Sequence, residues 1–333
     1  MIKRQLIAGV AVIAASVSLA MPVDTDVNSR AISNFKIAST QVQFGAFKFA
    51  GGLEMSSGNA DFGAISAIRF LDSGDNLLSV TDNGFWISGK INRDTQGKPA
   101  SFDTVMVSPM NDGAGNAVSK KWLTDAEGLL VDGDKVSVSF ERNHRISTGV
   151  LDTETYKFAS SDEPLPVPAK EIRSNRGFET LAKSPEDSLL QGARVAVTEK
   201  SLNKDRNIYA GIMDGPSKGV FFVARQGDFD ITDGDFLPNG DLLLLERKFS
   251  MAAGVAMRIR QIAGASIKKG ETVDGPVLLE ADMAYQIDNM EGLDVWQRAD
   301  GVTMVSLISD DNHSILQRNL YLEFELDSAQ LQQ

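Results

Sequence analysis

Residues 290–314 read MEGLDVWQRADGVTMVSLISDDNHS: Glu291 precedes one apolar run, and Asp310 and Asp311 end the next. An acid on either side of a short hydrophobic strand is an ordinary solvated turn unless the arrangement recurs. It does recur, at residues 62–84 (FGAISAIRFLDSGDNLLSVTDNG), 125–146, 175–201 and 229–250. In each copy a short apolar segment follows a small or acidic residue, a turn intervenes, and a strand-like run ends in Asp or Glu. The terminal acids are Asp82, Glu141, Glu199, Glu246 and Asp310, separated by 59, 58, 47 and 64 residues. The leading acids are Glu127, Glu179 and Glu291, with Ser66 at the matching place in the first copy and Asp233 or a near neighbour in the fourth.

Self-similar units of this length indicate a solenoid or a propeller. Runs such as LLSV, VSVSF, ARVAVT and LLLLE are short, apolar or alternating, and bounded by Gly, Asp or Asn, as strands are. Uneven spacing fits blades with loops of different length better than a regular solenoid. NLYLEFELD, residues 319–327, alternates as a half-buried strand and can complete a blade begun by residues 35–49, which removes an exposed edge. The expected fold is therefore an all-β propeller of six blades, with seven as the alternative. Its ring is closed by pairing of the N- and C-terminal strands, and residues 21–333 form one domain. The Pro-rich stretch at 160–174 reads as a connection between strands, not as a domain boundary.

Residues 1–20 carry Lys3 and Arg4, an apolar run and Ser18-Leu19-Ala20, the pattern of an export leader cleaved after Ala20. The expected location is the periplasm or outside the cell, with no transmembrane segment once the leader is removed. The formal charge of −12 disfavours nucleic acid as a partner. Cysteine is absent, which excludes disulfides and thiolate chemistry. A protein partner is not specified by any of these features.

In a propeller, equivalent positions of every repeat converge on the central channel, so acids scattered in sequence become one ring. Clustered carboxylates form a hard oxygen site suited to Ca²⁺, with Mg²⁺ or no metal as the alternatives. Such a cation would orient a phosphate or ester and activate water; a close carboxyl pair would instead work as acid and base. The candidate metal ligands are Glu127, Glu199, Glu246, Glu291, Asp310 and Asp311. The candidate catalytic residues are Glu179, Glu199, Glu246, Glu291 and His144. Glu199 and Glu246 directly follow RVAVT and LLLL, so each carboxylate lies close to buried surface and needs a partner. Arg142, Arg176, Arg247 and Arg318 are candidates for holding an anionic oxygen, because a guanidinium fork matches phosphate or carboxylate. A structural lattice of ion pairs is the alternative use of the same acids and arginines. His144 and His313 are the only histidines, too few for a three-histidine zinc site. No G-x-S-x-G elbow is present, and GPSKG at 215–219 lacks the spacing of a phosphate-binding loop.

Several of these stretches also resemble the phytase-like family described as having esterase-like activity: NRGFETLA (175–182), ERKF (246–249), NMEGLDV (289–295) and LISDDNHSILQRNLYLEFEL (307–326), with DAEGL and ERNHRI earlier. The resemblance spans roughly residues 62–326. It implies a secreted or periplasmic propeller that hydrolyses a phosphoester or small ester. It also places Glu179, Glu246, Arg247, Glu291, Asp310, Asp311, Asn312 and Arg318 within family motifs. His313 stands where an aromatic residue is expected after the Asn. The functional expectation is metal-assisted hydrolysis of a small anionic or ester substrate in the channel. A non-catalytic ligand- or partner-binding propeller and a lactonase-type sugar hydrolase are the alternatives.

Overall fold

Each of the five brackets becomes the inner half of one sheet. The computed structural model describes residues 21–111, 118 and 121–331, so the expected leader at 1–20 lies outside the described residues. Blade one is built on Ile65–Phe70, Asn76–Thr81, Phe85–Arg93 and Pro99–Pro109, with Val23–Thr25 at its edge. Blade two contains Ala126–Asp132, Lys135–Phe140, Arg145–Asp152 and Lys157–Glu163. Blade three runs through Phe178–Lys183, Arg194–Leu202, Ile208–Ile212 and Gly219–Val223, and adds Thr272–Val273 in parallel. Blade four contains Asp230–Phe236, Leu242–Ser250, Gly254–Ile262 and Val277–Ala281. Blade five begins with Asn289–Gln297, Thr303–Asp310 and Asn319–Leu326, then continues into Phe47–Ser57 and Val27–Ile32 from the other end of the chain.

The expectation of six or seven blades in a closed ring is thus corrected: the propeller has five blades, and no sheet closes on itself into a ring. The physical reason lies in the termini. Asn319–Leu326 is already the third strand of the fifth copy, and Phe47–Ser57 pairs with it as the fourth. The terminal strands therefore complete the fifth repeat, and among the described residues no strands remain for a sixth.

The innermost strands of consecutive blades lie side by side, from Ile65–Phe70 through the others in chain order and from Asn289–Gln297 back to Ile65–Phe70. Between each adjacent pair of blades sits one apolar cluster, five in all among the described residues. This explains runs such as LLLL. Leu242 and Leu244 enter the cluster toward blade three, while Leu243 and Leu245 enter the cluster toward blade five. A strand buried on both faces reads as continuous apolar sequence, since alternation appears only when one face meets water. Among the described residues, no helix is long and apolar enough to cross a membrane.

Each innermost strand carries an irregularity at the same level. Its register against the second strand shifts across Ser66, Glu179, Thr232 and Glu291 in blades one, three, four and five. In blade two the shift falls between the pairs Leu129–Val138 and Ala126–Phe140, which brackets Glu127. A bulge inserts one extra residue and re-aims its side chain. Five bulges at one level turn five side chains toward the axis. Below them Arg69 closes the channel: its Nη1 donates to Asp233 Oδ2 at 2.9 Å and to the Leu293 carbonyl at 2.8 Å, and its Nη2 donates to the Leu181 carbonyl at 3.1 Å. One side chain of blade one thus ties together blades three, four and five.

Candidate functional site

The bulged residues Ser66, Glu127, Glu179, Thr232 and Glu291 line a funnel of about 180 Å³ above Arg69. A second tier comes from the ends of the neighbouring strands. Asp82, Glu141 and Glu199 donate their backbone N–H to the carbonyls of Ala64, Asp125 and Gly177, each two residues before a bulge. Asp310 pairs with Asn289 and Arg247 with Asp230, again two residues before a bulge. The second tier therefore reads Asp82, Glu141, Glu199, Arg247, Asp310: four acids and one arginine at one structural position. Arg176, Asn175 and Asn312 complete the lining.

Seven carboxylates face this space, and two arginines accompany them. Arg247 Nη2 meets Glu291 Oε1 at 2.9 Å, and Arg176 Nη1 meets Glu199 Oε2 at 2.8 Å. Among the described residues no ion pair forms with Glu127, Glu141 or Glu179. Single carboxylate oxygens of Glu141, Glu179 and Glu199 lie within 4.8 Å of one another, and a second such group joins Asp125, Glu127 and Glu141.

Such crowding resists ionisation. Burial pushes Glu127 and Glu179 well above the usual carboxylate range, and the neighbouring acids add to it. Burial also pushes Glu141 up to about 7, against an opposing hydrogen bond from the Gly177 N–H, with Glu199 and Asp125 raising it further. Asp310 is pushed up to about 8 by burial and then by Glu291. Burial raises Glu291, with Arg247 pulling against it. Burial works against the Arg247 charge, but Glu291 and Glu199 hold its guanidinium protonated above the ordinary value. Its Nε is buried with no hydrogen-bond partner among the described residues. Strain gathers at the rim: Ala64, Arg142, Asn175, Asn312 and His313 all have φ between 47° and 54°. Non-glycine residues rarely adopt this conformation, and it clusters at functional sites.

Of the residues singled out in the sequence, Glu127, Glu179, Glu199, Glu291, Asp310, Arg176 and Arg247 come together in the funnel. Glu246 does not line it. Strand parity turns Glu246 to the opposite face, where it is buried between Arg258 and Arg260. Asp311 turns outward: its Oδ1 accepts the Ala64 N–H at 3.0 Å, and its Oδ2 accepts from Asn319 at 2.8 Å. Arg142 lies against Asp125, while Arg318 reaches Gln286, the Ile287 carbonyl and Asp288. His144 faces the Arg173 carbonyl at 3.1 Å, and His313 meets Asn83 at 2.9 Å; neither histidine lines the funnel.

Thr232 and Asp125 gained no role from the sequence, because the bulge that turns Thr232 inward leaves no local signature. Arg247 was legible as a cation but not as the equivalent of an acid. Blades three and four share one count: Glu199 and Arg247 each stand seven residues after a turn glycine, Gly192 and Gly240, with φ of 75° and 88°, whereas Asp82 and Glu141 stand eight after Gly74 and Gly133 and Asp310 nine after Gly301. Glu246 stands only six residues after its glycine.

Residues 60–313 match the profile of a family described as phytase-like, with the esterase-like activity of phytase. No curated protein matches the chain. Among solved structures, an endo-arabinase from Bacteroides thetaiotaomicron is similar at 11% identity and TM-score 0.45, covering 79% of this chain and 94% of that one. A protein proposed to be a gluconolactonase is similar at 8% identity and TM-score 0.42, covering 90% of this chain and 94% of that one. A proposed glucose dehydrogenase from Thermus thermophilus is similar at 12% identity and TM-score 0.39, covering 78% of this chain and 96% of that one.

Proposed function

The chain belongs to the phytase-like family with esterase-like activity, and from that premise we propose that it hydrolyses a phosphate monoester or another small ester in the carboxylate funnel, with a divalent cation bound there. The observation that carries the proposal is the Glu141–Glu179–Glu199 group, three carboxylates with oxygens within 4.8 Å of one another and only one arginine against them.

The donor set fits a hard cation. It offers only oxygen, it is held at short range, and its acids are raised by burial and further by neighbouring carboxylates, a repulsion that a positive ion would relieve. Ca²⁺ is the first choice, since it accepts irregular oxygen geometry more readily than Mg²⁺. When bound, the cation supplies charge neutralisation and polarises the ester oxygen.

The remaining work belongs to the chain. Arg247, on the blade next to Glu199 and with an Nε that has no partner among the described residues, holds the anionic oxygen of the substrate, assisted by Arg176. Glu291, which Arg247 draws toward the ionised form against the burial that raises it, accepts the proton of the attacking water. Asp310 retains a proton at neutral pH and delivers it to the leaving oxygen. The leader-like sequence of residues 1–20 supports a periplasmic or extracellular setting for this activity.

The test is direct. Protein stripped with EGTA is assayed on 4-nitrophenyl phosphate and 4-nitrophenyl acetate, with Ca²⁺ or Mg²⁺ restored. Cation-dependent turnover that is lost in Arg247→Ala and Glu179→Gln is expected. Absence of turnover on both substrates with either cation overturns the proposal.

A further inference from the structure

A larger and more apolar cavity adjoins the funnel, and nothing in the carboxylate chemistry uses it. It measures about 310 Å³ and lies between the outer parts of blades one and two on the same face of the propeller. That volume is at the lower end of the ~300–1,000 Å³ typical of small-molecule sites. Trp86, Leu123, Phe140 and Phe158 supply its apolar wall, while Arg145 and Ser160 supply polar edges. Two pairs of consecutive residues divide it from the funnel. Phe140 lines the cavity and Glu141 the funnel, while Thr124 lines the cavity and Asp125 belongs to the acidic group around Glu127.

The wall is held rigidly. Trp86 and Phe158 meet edge to face at 5.4 Å, and the Arg145 guanidinium lies over the Phe140 ring at 3.7 Å. Trp86 is fully buried at the floor, and its indole Nε1 has no hydrogen-bond partner among the described residues. A buried N–H without an acceptor is destabilising, because it loses its hydrogen bond to water and gains none. Indole nitrogens normally find a partner when buried. Trp86 is among the residues that line the cavity, so a ligand bound there is a source for the missing acceptor.

We propose that this cavity is a subsite for the organic part of the substrate, and that the preferred ester carries an aromatic ring bearing a hydrogen-bond acceptor. The inference rests on the hydrolase reading of the funnel and names the substrate class for it. A rigid wall built from aromatic edges, with Trp86 behind it, favours a flat ring over a flexible chain. The shared Phe140–Glu141 wall lets one molecule place its ring in the cavity and its ester in the funnel.

Two measurements separate this inference from the activity it builds on. The first compares kcat/KM for 4-nitrophenyl phosphate with that for methyl phosphate in the wild type, Trp86→Phe and Ser160→Phe proteins. The wild type is expected to favour the aryl ester well beyond the ratio of the spontaneous hydrolysis rates. Ser160→Phe, a change at an exposed position that fills the mouth of the cavity, should reduce aryl kcat/KM at least tenfold and leave the methyl ester unchanged. Trp86→Phe should weaken the aryl ester alone, with melting temperature recorded to exclude loss of fold. The second measurement is calorimetric binding of 4-hydroxyacetophenone, a neutral ring with an acceptor carbonyl, which needs no catalysis. Binding that Ser160→Phe abolishes supports the subsite even if no ester is turned over. If esters are hydrolysed but the aryl preference survives Ser160→Phe, or if the neutral ring does not bind the wild type, the subsite is refuted while the hydrolase reading stands.

Discussion

Arg247 Nη2 lies 2.9 Å from Glu291 Oε1 across the boundary between blades four and five, at the one second-tier position where the funnel has a cation instead of an acid. This pair sets one cation among the second-tier acids, on the blade next to the Glu141–Glu179–Glu199 group. It also produces a signature that a purely structural ion pair would not.

Arg247→Gln should affect its two ligands in opposite directions. Losing a positive charge from a space lined by carboxylates should tighten Ca²⁺ binding, while phosphate binding and kcat/KM should fall, the latter by about 10²-fold. Calorimetry with each ion and steady-state kinetics read the two effects separately. Weakening of both ions together would assign Arg247 a structural role only.

Glu179→Gln should blunt the response to cation. A ligand at a hundred times its Kd stabilises the folded state by about 2.7 kcal/mol. Thermal unfolding with and without Ca²⁺ should show that increment in the wild type and less than half of it in the variant. An unchanged increment would remove Glu179 from the cation site.

Glu246→Gln should do the reverse. Its carboxylate is 2% exposed and sits between Arg258 and Arg260, away from the funnel. Leaving Arg258 without its anion, and Arg260 with Asp274 as its one remaining carboxylate, should cost about 3–5 kcal/mol, while the Ca²⁺ increment stays at the wild-type value. Denaturant titrations with and without Ca²⁺ distinguish the two outcomes.

The cation-free protein should lose stability as pH rises. Glu141 and Asp310 have folded values near 7 and near 8, whereas an exposed carboxylate titrates near 4. Between these limits the folded state binds more protons than the unfolded state, so the stability they contribute is complete below about pH 4 and is lost as pH rises through 7 to 8. Melting temperature in EGTA should therefore fall from pH 5 to pH 8, and saturating Ca²⁺ should flatten or invert that slope. A rising profile in EGTA would contradict the crowded-carboxylate account.

Much of the architecture was legible because a propeller repeats itself. The five brackets around Ser66, Glu127, Glu179, Asp233 and Glu291 correspond one to one with five sheets, and the paired acids Glu127 with Glu141 and Glu179 with Glu199 do meet. Six blades exceed the observed count because the terminal strands, read as a blade of their own, belong to blade five. Long connections, together with terminal strands that complete blade five, absorbed the residues assigned to a sixth. Glu246 was selected for its acid and its apolar neighbours, but one step along a strand reverses the direction of a side chain. Parity carried Arg247 inward in its place.

Composition, repeat and turn glycines by themselves determined that this chain is an acidic all-β protein whose repeats each bring polar side chains to one level. These features depend on local preferences and on a period that any copy displays. The tertiary structure alone decided how many blades share the axis, which side of each strand faces it, and that Arg69 seals the channel beneath. It also decided that the wall beside Phe140 encloses a second cavity. Those outcomes depend on bulge position and on contacts between residues more than a hundred apart, such as Arg69 with Asp233. A one-residue shift in register leaves the composition of a strand intact and changes which group reaches the substrate.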